Sequence, residues 1–472
     1  MSGHEKVVSR DKHFNWPEVF KSHPRLLREQ HEVEHIVSEF KANRDIDIDT
    51  AVHDHGIGYL YHRSEILVQF EYLAPVMALL SHGTPQDVIG ELAQAFTSKR
   101  LPWQSVISGV VALQLADFKL SVPEALDRID AAFGEGVATP NHVITVANGS
   151  PGGTAGICPA TEPQTTYAGI EPFPSVCQNG GAGVRVYIAD TGLLRDADAE
   201  HPWLRGVQRA HDADGTLQDW ELLGKPNSKS KGLPAIPPYA GHGTFVAGLV
   251  RCMAPQAEVI VSNVFKVAGS VLEKDLVPDL ANALKHGADI FNLSIAASTR
   301  KGHPLIALEK WLQHLSKRKG VACVVAAGNS GSDQPFWPGA SPEVVSVGAL
   351  AGDWRSRADF SNHGGWVDVY APGRDLINAY ATGMYECYAA PYVGKEREFY
   401  GMARWSGTSF STPIVTGLIA ARMSRTGENG LQAAAALLAE AQSQAIPGVG
   451  PVLLPPSGNG TIMAGQVSTS TG

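Results

Sequence analysis

From residue 184 onward the hydrophobic positions of this chain alternate between two spacings. Mostly apolar, β-rich runs at 184–189, 258–265, 288–292, 321–326 and 343–347 read as strands buried on both faces. Between them lie stripes of helical period. Leu272, Leu276, Leu280 and Leu284 repeat at i, i+4 and stop at Gly287. Leu305, Leu308, Leu312 and Leu315 form a second stripe, closed by Lys317-Arg318-Lys319, where cations suit the helix dipole, and by Gly320. These leucines are core positions. Strands and helices in alternation predict an α/β domain: a doubly wound, mostly parallel sheet with helices on both faces. Two stretches interrupt the pattern. The polar, Pro/Gly-rich segment 195–240 predicts a surface excursion, and 386–404 predicts a second insertion.

Upstream of residue 150 the pattern is that of a smaller α+β unit. Residues 64–71 and 109–116 read as strands, 122–133 as a helix with apolar Ala125, Ile129 and Ala132, and 142–147 as a final strand. Residues 28–40 suit an amphipathic helix on Val33, Ile36, Val37 and Phe40, and 45–49 alternate aspartate with isoleucine. The division that follows is an extension of unassigned role at 1–60, an α+β domain at 61–149, a linker at 150–182 and the main domain at 183–445. Pro, Gly, Ser and Thr dominate 446–472, which predicts a flexible tail.

Three motifs in the main domain carry chemistry. The run 184–188 ends in Ala189-Asp190-Thr191-Gly192, placing a carboxylate at the carboxyl end of a strand, where ligands of open α/β sheets gather. Gly241-His242-Gly243-Thr244 puts an imidazole where a loop enters an apolar helix, between glycines that leave the ring accessible. Gly407-Thr408-Ser409-Phe410-Ser411-Thr412-Pro413 mounts a serine on the first turn of a helix, whose free amides point at the reacting oxygen. Each motif alone suits a turn or a cap. Together, in the order Asp190, His242, Ser409, they match the chain order of the subtilisin arrangement of the serine triad.

Across about residues 183–425 the chain therefore resembles the subtilase (subtilisin-like, S8) serine peptidase family. A fourth element agrees: the strand 321–326 leads into Ala327-Gly328-Asn329, and the resemblance makes Asn329 the side-chain donor of an oxyanion hole beside the Ser409 amide. It implies a serine endopeptidase in which Ser409 is acylated, His242 carries the proton and Asp190 holds the imidazole. Ser294, Ile295 and Ala296, with Ala327 and Gly328, resemble the segments that flank the substrate. Ala296 stands where the family commonly has glycine. Phe336, in Phe336-Trp337-Pro338-Gly339, resembles the floor of the specificity pocket; a narrow pocket and a plain aromatic core both remain open for it.

The same resemblance makes the α+β unit at 61–149 an inhibitory propeptide, the chain's own intramolecular partner beside its protein or peptide substrate. Self-cleavage is then expected within 147–170; a permanently attached folding or interaction domain is the competing reading. The family's calcium loop after the catalytic histidine is missing from 245–255, so no cofactor and no metal is expected. His53, His55 and His62 beside Asp54 do not change that expectation.

Composition narrows the picture further. With 472 residues, 44% hydrophobic and 18% charged, the chain is long enough for a cored domain plus smaller modules. A net charge of −9 and no basic stretch argue against nucleic acid and anionic membranes. No apolar run reaches the ~18–20 residues that span a bilayer, and the N-terminus lacks the apolar core of a signal peptide, so a cytoplasmic enzyme is expected. Five cysteines (Cys158, Cys177, Cys252, Cys323 and Cys387) suit buried thiols, with Cys158 and Cys177 the one pair to test for a bridge. A silent scaffold that binds a partner through its N-terminal region is the alternative to a peptidase; intact motifs weigh against it.

Overall fold

The computed structural model describes residues 6–8, 16, 24–53, 56–81, 102–146, 161–167, 169–226, 232–318, 320–388 and 392–456. In the N-terminal part these form β1 (Lys6–Val8), α1 (Pro24–Arg44), β2 (Ile48–His53), β3 (Gly56–Gln69), α2 (Leu73–Ser81), β4 (Trp103–Ile107), β5 (Val110–Gln114), α3 (Val122–Phe133) and β6 (Ala138–Val146). The strands run in the order β1-β2-β3-β5-β4, with β6 on the other side of β3, all antiparallel. Ser121 caps α3 in a capping box with Glu124, as its sequence invites. Ala125, Leu126 and Ile129 then pack with Ile66, Val68 and Leu113 in the core of this unit.

The sheet does not break near residue 60: β2 and β3 form one hairpin, with Asp49 opposite Tyr61 and Ile48 opposite His62. Helix α1 is longer than the amphipathic stripe predicts and buries Val33, Ile36, Val37 and Phe40 completely or nearly so. Helix α2 and strand β4 are not legible in the pattern. Leu73-Ala74-Pro75-Val76-Met77-Ala78-Leu79-Leu80 is apolar all round, so it shows no period, and β4 is a short edge strand with exposed positions.

The main domain follows with β7 (Arg185–Asp190), β8 (Gln208–Arg209), β9 (Ala235–Ile236), α4 (His242–Met253), β10 (Glu258–Asn263), β11 (Ser270–Leu272), α5 (Glu273–Lys285), β12 (Ile290–Leu293) and β13 (Ile295–Ala296). Next come α6 (Ile306–Ser316), β14 (Ala322–Ala326), β15 (Val345–Leu350), β16 (Val369–Pro372), β17 (Leu376–Glu386), β18 (Glu396–Trp405), α7 (Thr408–Thr426) and α8 (Gly430–Ser443). Seven strands form a parallel sheet in the order β16-β15-β14-β12-β7-β10-β8.

Side-chain alternation along β7 feeds two cores. Val186 and Ile188 face α4 and α7, while Tyr187 and Ala189 face α5 and α6. From β7 the next sheet strands go to one side as β10 and then to the other as β12. The strand order therefore reverses at β7, and a crevice opens at its carboxyl end, where Asp190 sits.

Three stretches differ from their sequence patterns. Residues 396–404 of the segment read as an insertion belong to β18, half of a long antiparallel hairpin with β17. The excursion at 195–240 sends Leu204, His201 and Glu221 into the interior, so it is not wholly surface. The start of the expected flexible tail is ordered: Val452 pairs with Tyr370 at the free edge of β16, and Val452 and Leu453 are buried. An unpaired sheet edge supplies the hydrogen bonds, which composition does not reveal. The rest of that tail, 457–472, lies outside the described residues.

Candidate active site

Asp190 ends β7 fully buried. Its Oδ1 accepts the N–H of Thr191 at 2.8 Å and hydrogen-bonds Nδ1 of His242, also at 2.8 Å. A carboxylate only accepts here, so Nδ1 carries the hydrogen and Nε2 is the basic nitrogen facing away from Asp190. His242 opens helix α4, and Gly241 before it takes φ +83°, a left-handed turn that suits glycine. Gly243 after it lies so close to the turn following β7 that a Cβ would come 2.4 Å from the carbonyl oxygen of Gly192. The two glycines thus serve backbone approach, bringing the helix start onto the end of the strand.

Ser409 is the second residue of α7 and is buried. The first turn of that helix is pinned from two strands. At the end of β14, Oδ1 of Asn329 accepts from the Thr408 N–H at 2.7 Å and from Thr408 Oγ1 at 2.9 Å. Thr408 Oγ1 in turn accepts the Gly328 N–H at 3.1 Å. With its oxygen so engaged, the side chain of Asn329 has its NH2 as the donor end, lying 3.5 Å from where a Cβ on Gly407 would stand. After β12, Ser294 Oγ donates to the Ser409 carbonyl at 2.7 Å and accepts from Asn292 Nδ2 at 3.1 Å. Phe410 lies with its ring centroid 5.2 Å from that of His242, and Trp405 at the end of β18 meets the same imidazole edge-on at 5.5 Å. The starts of α4 and α7 and the end of β7 therefore meet at one rim of the sheet.

The residues predicted to flank a substrate divide. Ile295 and Ala296 form β13 and hydrogen-bond with another strand, whereas the Ser294 hydroxyl is spent on the Ser409 carbonyl. Ala327 and Gly328 are held by Asn362, whose Nδ2 donates to the Ala327 carbonyl at 2.8 Å. Phe336 is buried against Ala296 and Ala326, and its ring comes within 3.2 Å of where a Cβ on Gly328 would be. Trp337 lies beside it, donating its Nε1–H to the Gly302 carbonyl and bridging to Ala297.

The strand paired with β13 is β6. Val146 lies opposite Ile295 and Thr145 opposite Ala296, both antiparallel. On its other edge β6 pairs with β11, Thr145 with Ser270, Ile144 with Val271 and Val143 with Leu272. The Val146 N–H donates to the Gly269 carbonyl at 3.0 Å. Ile144 and Val146 point into the main domain beside Phe265, Leu293 and Ile295. Docking of the N-terminal unit is reinforced by charge. Arg300 binds Asp127 and Asp130, Lys301 binds Asp130 and Glu135, and Lys274 binds the buried Glu65.

Thr408, Asn362, Trp405 and Glu221 were not singled out by sequence reasoning. Thr408 stands inside the serine motif, so its place could have been read; the other three reach the site from distant segments with no motif of their own. The described cysteines are unbridged, with burial pushing the Cys252 thiol up to about 12 and the Cys323 thiol higher still. Cys158 lies outside the described residues, as does His55 of the histidine group. Among the described residues no three His, Cys, Asp or Glu side chains gather as a metal site, and no helix is long and apolar enough to cross a membrane. Helix α4 runs without an inserted loop.

Comparison with known proteins places these residues in context. Residues 181–447 match the model of the subtilase family, peptidase S8. A thermophilic serine proteinase of Bacillus sp. (strain AK1) is 29% identical over 271 residues, covering 57% of this chain and 58% of that protein. An intracellular serine protease of Paenibacillus polymyxa is 30% identical over 264 residues, covering 52% of this chain and 67% of its own. The chain thus spans little more than half to two thirds of the length of these relatives. A solved cold-adapted subtilisin-like serine proteinase aligns over 60% of this chain and 92% of its own, at 22% identity and a TM-score of 0.45.

Proposed function

The chain belongs to the subtilase family, and from that membership we propose that it is a serine endopeptidase, using Ser409, His242 and Asp190, held latent by its N-terminal region. In this reading Ser409 Oγ attacks a peptide carbonyl, and Nε2 of His242 takes the proton and returns it to the leaving amine. Asp190 keeps Nδ1 protonated and balances the imidazolium. Oxyanion charge falls on the Asn329 amide and the Ser409 N–H at the start of α7. The single observation that carries the reading is the 2.8 Å pairing of His242 with Asp190 beside the first turn of the serine-bearing helix.

Latency is supported by the position of β6, which lies as a middle strand between β11 and β13 and runs towards the site. An extended peptide substrate uses the same edges, so β6 competes with it at the high local concentration of a tethered segment. Self-cleavage after β6 fits this reading; residues 147–160 and 168 of the expected window lie outside the described residues. In this reading Phe336, buried against Ala296, favours small or medium side chains in the primary pocket.

Fluorophosphonate labelling of wild type and Ser409→Ala, with cleavage of a casein-like substrate, tests the proposal. Labelling and hydrolysis in wild type and neither in the variant are expected. A wild type that neither labels nor cleaves at any pH or after limited proteolysis overturns it in favour of a silent scaffold.

A further inference from the structure

One buried carboxyl close to the site has no part in the chemistry above. Glu221 lies in the long segment between the aspartate and histidine motifs, yet its residue is only 9% exposed. Its backbone is fixed by an N–H bond to the Leu193 carbonyl at 2.9 Å. Its Oε2 accepts the N–H of Gly241, the residue before His242, at 2.9 Å. Leu193 lies in the turn after Asp190, and that turn meets the histidine loop a second time through Thr191. Thr191 Oγ1 in turn accepts the N–H of Gly243, the residue after His242, at 3.1 Å.

The contacts close a ring. It runs from Asp190 along the chain to Leu193, across the backbone bond to Glu221, through the Glu221 carboxyl to Gly241 and His242, and back to Asp190 through the 2.8 Å bond. A bond between two side chains on separate elements is only as well aimed as the backbones that carry it. We propose that Glu221 is a positioning residue, a bracket that fixes the start of α4 against the end of β7 and so sets the His242–Asp190 geometry.

Protonation suits the role. Burial, with the Asp190 charge nearby, pushes the Glu221 carboxyl well above the usual carboxylate range. The raised value favours the neutral acid, which still accepts the Gly241 N–H and lessens repulsion from the Asp190 charge. A glutamine keeps the acceptor for Gly241 in the same shape. Alanine removes it and leaves the Gly241 N–H unpaired.

This inference rests on the peptidase reading only for its kinetic test. Full-length Glu221→Ala, Glu221→Gln and Glu221→Met would be compared with wild type by kcat and KM on a fluorogenic peptide. The downfield proton resonance of His242 Nδ1–H would be followed alongside. Glu221→Ala is expected to lower kcat about 10- to 100-fold with KM within about twofold, because misplacement of the base costs rate rather than binding. Its resonance should shift or broaden. Glu221→Gln should restore the resonance and bring kcat back to within about threefold of wild type.

Glu221→Met fills the same space without an acceptor for Gly241, so it should reproduce the alanine resonance even where Glu221→Ala fails to fold. An unchanged resonance in both Glu221→Ala and Glu221→Met overturns the inference. So does a glutamine variant as impaired as alanine. A wild type without hydrolysis whose resonance still responds to Glu221→Ala sinks the peptidase reading and leaves the bracket standing.

Discussion

His142 in β6 and Glu273 at the start of α5 face each other across the seam between the N-terminal unit and the main domain, both buried, with Nδ1 4.0 Å from Oε2. Among the described residues neither of those two atoms has a hydrogen-bond partner. The other ends are engaged: His142 Nε2 accepts the Arg300 N–H at 3.2 Å, and Glu273 Oε1 accepts the N–H groups of Ala307 and Leu308 at 2.6 and 3.1 Å. Burial, reinforced by the Arg300 charge, lowers the imidazole to about 3, and burial raises the carboxyl to about 8.

A pH dependence of docking follows. The Glu273 contribution is complete below its ordinary value of 4.5 and is lost as pH rises through about 8. The His142 contribution is complete above 6.5 and is lost as pH falls through about 3. Between 4.5 and 6.5 the docked and undocked forms hold equal numbers of protons on the pair, so docking is strongest and flat there. Hydrogen exchange of the β6 amides in full-length Ser409→Ala, followed from pH 4 to 9, should show greatest protection in that window. Glu273→Gln should remove the alkaline decline and keep the acid one. A profile flat throughout would end this account.

Catalytic substitutions should separate by role. Ser409→Ala and His242→Ala are expected to lower kcat by about 10⁴-fold or more. Asn329→Leu should cost about 10²–10³-fold, the range for one oxyanion donor. Steady-state kinetics on a peptide substrate decides it, and an Asn329 variant with unchanged kcat contradicts the donor role.

At the seam, Arg300 is buried and bonds Asp127 and Asp130, of which Asp130 is half-buried and Asp127 largely exposed. Arg300→Ala should weaken docking about tenfold or more, because Asp130 is left in the interface with Lys301 alone. Asp127→Ala should change it by less than about fivefold, as exposed pairs contribute little. Basal peptidase activity of the intact chain reads both, and equal effects would show that burial does not set the strength.

Gly243→Ala tests the close approach of α4 to the turn after β7. The new methyl meets the Gly192 carbonyl, so the helix must move and the His242–Asp190 bond with it. Loss of about 1–3 kcal/mol in stability and of most activity is expected. Thermal unfolding with wild-type Tm and kcat would refute the contact.

Phe336→Ala should open the primary pocket towards larger side chains. In the proposed reading the ring, which is buried against Ala296 and Ala326, narrows that pocket. A peptide library with small and large residues at the position before the scissile bond should shift towards large ones by about tenfold or more in kcat/KM.

The places of Asp190 at a strand end, His242 and Ser409 at helix starts and Asn329 just past a strand were legible because their demands are local. A glycine on each side of His242, and a serine four residues before Pro413, are constraints between neighbours, and a single chain displays them. The parallel sheet was legible for the same reason, since apolar runs and leucine stripes repeat within one element. What lay beyond reach was long in sequence separation and without period. Only the tertiary structure decided that β6 threads between β11 and β13, and that α1 seats Phe40 near Leu272. It alone brought Glu221 to Gly241 and His142 to Glu273. Such contacts depend on which surfaces meet after the sheets have formed, and one buried acid or histidine looks the same in sequence as an exposed one.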